Sequence, residues 1–249
     1  MLDSETGPWS QLFLSGAEKT WRNDLLRDDL YFRYMSTGTN YASKLLPSKL
    51  LNGRLNSILW PIFELKNYQR LSRIQVQKNG QVLQIDASER WSSIAIKTLV
   101  AFKYCLENWD FDFIIRGNAT SYFNVIALRD YLENCQSDYV GPIQKNKPFA
   151  SGWSMGLSRE AATYLLDHFS FHELSYFDDE AFGKVLTPRF GCQPMPFFEI
   201  SSPDLINGYS QEFLRNFPVI RTKAIVEGNR IDYLIQQKLY SKIKGNRQV

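Results

Sequence analysis

The stretch Phe111-Asp-Phe-Ile-Ile-Arg116-Gly-Asn118-Ala-Thr120 decides how this chain is read. Its near-continuous apolar run suits a strand covered on both faces, as in a parallel sheet. The Gly-Asn turn ends that strand, and an amphipathic helix carrying Leu128, Tyr131, Leu132 and Cys135 follows. Strand, turn and helix make half of a βαβ unit, and open α/β sheets take their ligands just beyond the carboxyl ends of such strands. The expected class is α/β, a Rossmann-like mixed but mostly parallel sheet flanked by helices. Arg116, Asn118 and Thr120 then stand on its ligand edge.

Working outward, Leu30-Tyr-Phe-Arg-Tyr-Met35 reads as a strand, Ser36-Thr-Gly-Thr-Asn40 as a turn, and the polar stretch up to Arg73 as helix. Asn79-Gly80 opens a short strand, Gln81-Val-Leu-Gln-Ile-Asp86. A helix with Ala95, Leu99, Phe102 and Leu106 on one face comes next. Downstream, Asp138-Tyr-Val-Gly141 and the Gly-punctuated run 149–157 read as strands, and Ser158 is a good N-cap for a helix over 159–167. Phe177-Asp178-Asp179-Glu180 opens another helix, with carboxylates in the first turn and Ala181, Phe182, Val185 and Leu186 inward. From Pro218 the chain is basic, with Arg221, Lys223 and Arg230, and ends in an amphipathic helix.

Bulk properties remove several classes. At 249 residues, 44% hydrophobic and 22% charged, the chain has the makings of an ordinary core. A net charge of +3 with scattered Lys and Arg does not mark a nucleic-acid binder. Cys105, Cys135 and Cys192 form no CxxC pair and read as buried, reduced thiols. His168 and His172 are the chain's two histidines, outside any HExxH pattern, so a histidine zinc site or triad lacks material and both read as structural or surface residues. No stretch approaches the roughly 20 apolar residues of a membrane span, and MLDSETGPW lacks a signal pattern, so the chain as given is expected in the cytoplasm.

Four segments, taken in order, resemble the Fringe and beta-1,3-galactosyltransferase superfamily, family 31 among glycosyltransferases. Asp86-Ala-Ser-Glu-Arg-Trp-Ser-Ser-Ile-Ala-Ile-Lys97-Thr98 is similar to its acidic strand end and Lys-Thr helix. The run from Phe111 to Asn124 resembles its strand, basic residue, metal triplet and aromatic-Asn signature. Ala150-Ser-Gly152-Trp153-Ser-Met-Gly-Leu-Ser158-Arg159 resembles its Gly-rich strand, and Phe177-Asp178-Asp179-Glu180-Ala-Phe-Gly183 its Glu-Asp-Val motif.

The resemblance implies a GT-A-like fold in a single domain over 1–249: a nucleotide-sugar-binding half to about 125, an acceptor and catalytic half over 126–217, and a basic helical tail over 218–249. It also implies a UDP-sugar donor, a glycan or glycoconjugate acceptor, inversion, and Asp179 as catalytic base. Donor contacts are expected from Asp86, Lys97, Arg116, Asn118, Thr120, Arg221, Lys223 and Arg230, and acceptor contacts from Gly152, Trp153 and Asp178. Eukaryotic relatives usually carry a membrane anchor, so a bacterial, viral or trimmed form is expected over an intact Golgi enzyme.

One departure carries weight: the family's acidic triplet, which holds a divalent metal against the donor diphosphate, is here Asn118-Ala119-Thr120. An amide and a hydroxyl are feeble ligands for magnesium or manganese, so no protein-held metal site is expected. Arginine and lysine can meet leaving-group charge in its place. Three plainer readings compete: Asp178, Asp179 and Glu180 as a helix cap, Lys97 as an exposed helix lysine, and 218–249 as a solvated tail. Two whole-chain alternatives stand beside the transferase: an inactive GT-A-like module that binds a glycan or nucleotide, and, ranked below it, a sugar nucleotidyltransferase.

Overall fold

The apolar run after Phe111 forms β4 (Phe113–Gly117), pairing antiparallel with β7 (Ser154–Ser158) so that Arg116 faces Met155 and Gly117 faces Ser154 in register. β6 (Tyr139–Gly141) lies on the other side of β7, also antiparallel, and β8 (Gln193–Pro194) runs parallel to β6. These observations come from a computed structural model that describes residues 9–36, 76–85, 94–170, 173 and 177–245. The expected turn at 37–40, the polar helix up to Arg73, Asp86 and His172 lie outside the described residues.

A separate sheet has the order β1-β3-β2, from β1 (Arg33–Ser36), β2 (Val76–Asn79) and β3 (Val82–Ile85). β2 and β3 form a hairpin over Asn79-Gly80, where Gly80 takes φ +58, a left-handed conformation that costs glycine little. A third sheet, β5-β10-β9, joins β5 (Ser121–Phe123), β9 (Phe197–Ile200) and β10 (Val219–Thr222). Among the described strands, parallel pairs are the minority: β1 with β3, β6 with β8 and β9 with β10. The architecture is mixed α/β with several sheets, which corrects the expectation of a mostly parallel one.

Helices cover these sheets: α1 (Trp9–Ser15), α2 (Ile94–Asn108), α3 (Val125–Glu133), α4 (Arg159–His168), α5 (Asp178–Phe190), α6 (Gln211–Arg215) and α7 (Asp232–Lys244). Ala95, Leu99 and Phe102 of α2 are buried with Leu157, Leu165, Phe182 and Leu186 in one apolar cluster, as the period of their sequence requires. Ser158 caps α4 by accepting from the Ala161 N–H at 3.1 Å, a contact worth about 1 kcal/mol. Gly183 lets α5 approach Phe149 closely, since a Cβ there would stand 2.4 Å from the Phe149 Cβ.

The segment from Pro218 on is built into the core instead of trailing as a solvated tail. β10 is the central strand of its sheet, and Ile235, Gln236, Leu239 and Asp232 of α7 are buried. The sequence reading missed β10 because four residues with a central Arg221 carry little periodic signal. Cys105, Cys135 and Cys192 are free but only half-buried, at the margins of the core instead of inside it. His168 is an exposed residue stacked on Tyr164. Among the described residues no helix is long and apolar enough to cross a membrane.

Candidate functional site

β4 delivers Arg116 to the interior, where its side chain is 2% exposed. Its Nη2 meets Asp178 Oδ2 at 2.5 Å, and its Nε donates to the Tyr34 hydroxyl at 3.3 Å. The Tyr34 hydroxyl lies 3.0 Å from Thr98 Oγ1, which donates to the Ile94 carbonyl at 2.9 Å. With the threonine proton so engaged, Tyr34 is left to donate to Thr98. A continuous chain therefore runs from α5 through β4 and β1 to the first turn of α2.

Burial works to lower the Arg116 pKa, but Asp178, Tyr34 and Asp179 outweigh it, and the guanidinium stays charged above its ordinary value. Burial raises the Asp178 carboxyl above the usual carboxylate value, with Arg116 pulling the other way and Asp179 adding repulsion. Burial likewise raises the Tyr34 phenol.

Asp179, the neighbour of Asp178 in the first turn of α5, is partly exposed and held at both oxygens. Oδ2 accepts from the Gly152 N–H at 3.2 Å, and Oδ1 from the Glu180 N–H at 3.0 Å. The approach needs a glycine at 152, because a Cβ there would lie 2.8 Å from Arg116 Nη1 and 3.3 Å from the Asp179 Cβ. Asp178, Asp179 and Glu180 do fill the acidic first turn of α5, where the helix dipole favours them, yet two of the three also face Arg116 and Gly152.

The turn after β4 is closed on itself. Asn118 Oδ1 accepts from the Thr120 N–H at 3.0 Å and from Thr120 Oγ1 at 2.7 Å. The Thr120 carbonyl accepts from the Thr222 N–H at 2.8 Å, and the Ala119 carbonyl from Gln236 Nε2 at 2.8 Å. Ser121 Oγ donates to the Trp153 carbonyl, tying the turn to the Gly152 loop.

Beside it lie polar atoms without partners among the described residues: Arg116 Nη1, Ser151 Oγ, Trp153 Nε1 and Ser154 Oγ, all buried. Native interiors leave few such atoms, and those that remain mark places where water, an ion or a ligand completes the set.

The structure thus joins Arg116, Gly152 and the adjacent pair Asp178 and Asp179, which come from three separate stretches of sequence. Trp153 adjoins them but is itself buried against Phe197, with the Arg221 guanidinium 5.5 Å from its ring. Arg221 pairs with Glu199 at 3.4 Å. Arg230 pairs with buried Asp232 at 2.8 Å and lies over Trp9, and Lys223 is exposed after β10. No hydrogen bond or ion pair among the described residues links those two to Asp179. Lys97 is buried in α2 and not the exposed helix lysine of the plainer reading.

Tyr34, Thr98, Ser151 and Ser154 were missed as site residues. The two serines flank Gly152 inside a quoted motif, whereas nothing local marks Tyr34, whose partner Arg116 is 82 residues away. A cavity of about 650 Å³ is lined by residues of β1 and β4, Tyr34 and Arg116 among them, with aromatic walls including Trp21, Trp109 and Phe123, and by Asp28, Asp110, Asp112 and Glu133. Its lining carries more carboxylates than the two arginines, Arg116 and Arg129, a balance that disfavours a diphosphate, and Asp179 is not on its wall.

No family model matches the chain, and a search of curated proteins finds no match.

Proposed function

We propose that this chain is a GT-A-like glycosyltransferase moving a sugar from a UDP-sugar to a glycan or glycoconjugate hydroxyl, with inversion and without a tightly held metal. The observation that carries the reading is the meeting of Arg116, Gly152, Asp178 and Asp179, expected at the site from three different segments. In this reading Asp179 takes the proton of the acceptor hydroxyl. The oxygen attacks the anomeric carbon, and UDP leaves with the electrons of the broken carbon–oxygen bond. The Gly152 and Glu180 N–H groups fix the carboxylate's direction before the acceptor arrives. In this reading the buried, unpartnered Ser151, Trp153 and Ser154 atoms complete their bonding on donor or acceptor oxygens.

A second reading, a binding module without transfer, is favoured by a specific feature: Arg116, Arg221 and Arg230 are each already matched by a carboxylate. Calorimetric titration of UDP, with manganese and again with chelator, separates the readings. Binding that survives chelation, followed by UDP-sugar turnover that Asp179→Asn abolishes, supports the transferase. Binding without turnover supports the module, and strict manganese dependence sinks the metal-independent mechanism.

A further inference from the structure

We infer that Arg116 is a positioning residue for Asp179 and not a ligand of the leaving diphosphate. The inference rests on the reading of Asp179 as base, and it reverses the donor-binding role the sequence suggests for Arg116. The guanidinium is 2% exposed, and two of its three nitrogens are committed: Nη2 to Asp178 at 2.5 Å and Nε to Tyr34 at 3.3 Å. The third, Nη1, faces the Gly152 backbone, 2.8 Å from where a Cβ would sit.

Nη1 alone is left for a diphosphate, and it is buried against the Gly152 backbone; a bidentate grip would have to displace Asp178, leaving a carboxylate buried and unpaired, which costs far more than breaking an exposed pair. What the pair does in place is geometric. Asp178 is the first residue of α5, so anchoring it to β4 sets where the first turn begins, and hence where the Asp179 carboxylate meets the Gly152 N–H. Tyr34 and Thr98 extend the anchor to α2, which makes the guanidinium a rigid post.

Two readouts on the full chain test this. The first needs no activity: hydrogen exchange at the Gly152 amide, whose acceptor is Asp179. In Arg116→Met and in Asp178→Asn its protection falls by about tenfold, the size of one lost hydrogen bond. The double variant loses no more than either single, and amides along β7 stay protected. The second is the split between binding and turnover. UDP affinity and the KM for the UDP-sugar stay in place while kcat falls by roughly 100-fold, as for a misplaced catalytic group, with partial recovery in Arg116→Lys.

Unchanged Gly152 protection overturns the inference, as does a loss of UDP affinity with kcat kept. Should Arg116→Met not fold, Asp178→Asn carries the test alone, since it keeps the side-chain shape. If the unaltered protein neither binds UDP nor turns over a UDP-sugar, the transferase reading falls, and the exchange measurement still decides whether Arg116 positions Asp179.

Discussion

The turn 118–120 and the loop 151–154 lie side by side, joined by the bond from Ser121 to the Trp153 carbonyl, yet they are finished differently. In the turn, the Asn118 side-chain oxygen is spent on Thr120, and the Ala119 and Thr120 carbonyls are taken by Gln236 and Thr222. In the loop, the Ser151, Trp153 and Ser154 side chains find no partner among the described residues, and Gly152 gives its N–H to a partly exposed carboxylate. A turn whose carbonyls are taken from within the fold serves as scaffold, while the buried donors left over in the loop mark where water or a ligand completes the set. Asn118, Ala119 and Thr120 thus form a turn braced from inside the protein.

The largest expected effect breaks the comparison on its functional side. Asp179→Asn should cut transfer by about a thousandfold, the scale of a lost general base, while calorimetry finds UDP binding intact and stability falls by only about 1 kcal/mol, since the amide keeps one acceptor oxygen for the Gly152 and Glu180 N–H groups. Next, on the scaffold side, Gln236→Leu strips the Ala119 carbonyl of its partner and should destabilise the fold by about 2 kcal/mol in urea titration, with little change in kcat for the protein that remains folded.

A matched pair of serine variants sharpens the contrast. Ser121→Ala removes a bonded hydroxyl and should cost about 1 kcal/mol, whereas Ser154→Ala removes an unpartnered one and should leave urea stability equal or higher while weakening UDP-sugar KM.

The smallest effect is in pH. Asp178 in the fold holds its proton more tightly than the ordinary value of 3.8, through burial first. Its contribution to stability is therefore full below that value and is lost as pH rises through the raised folded pKa. Melting temperature should decline across that window, and Asp178→Asn should flatten the slope.

Much of the local structure was legible in the sequence. The 3.6-residue period of Ala95, Leu99 and Phe102, the Ser158 cap and the apolar run of β4 all report contacts made within a short segment, which is what periodicity can read. Strand partners were not legible, because pairing direction depends on which segment arrives beside β4, and β7 comes antiparallel. At the site, motif order drew attention to Asp178, Asp179, Gly152 and Arg116. The identity of Arg116's partner was hidden, since a guanidinium suits phosphate and carboxylate equally well and only burial beside α5 decides between them. Tyr34 was silent for the same reason: a strand tyrosine is marked by its neighbour across the fold, and not by its neighbours in the chain.

The brace on the 118–120 turn also sets an order of events in synthesis. Gln236 lies 117 residues beyond the carbonyl it holds, and Thr222 lies 102 beyond its own. At translation rates of about 5–20 residues per second, the turn emerges many seconds before its supports exist. During that interval its carbonyls are held by water alone. The scaffold beside the candidate site is therefore a late product of assembly, set only once Thr222 and Gln236 have left the ribosome.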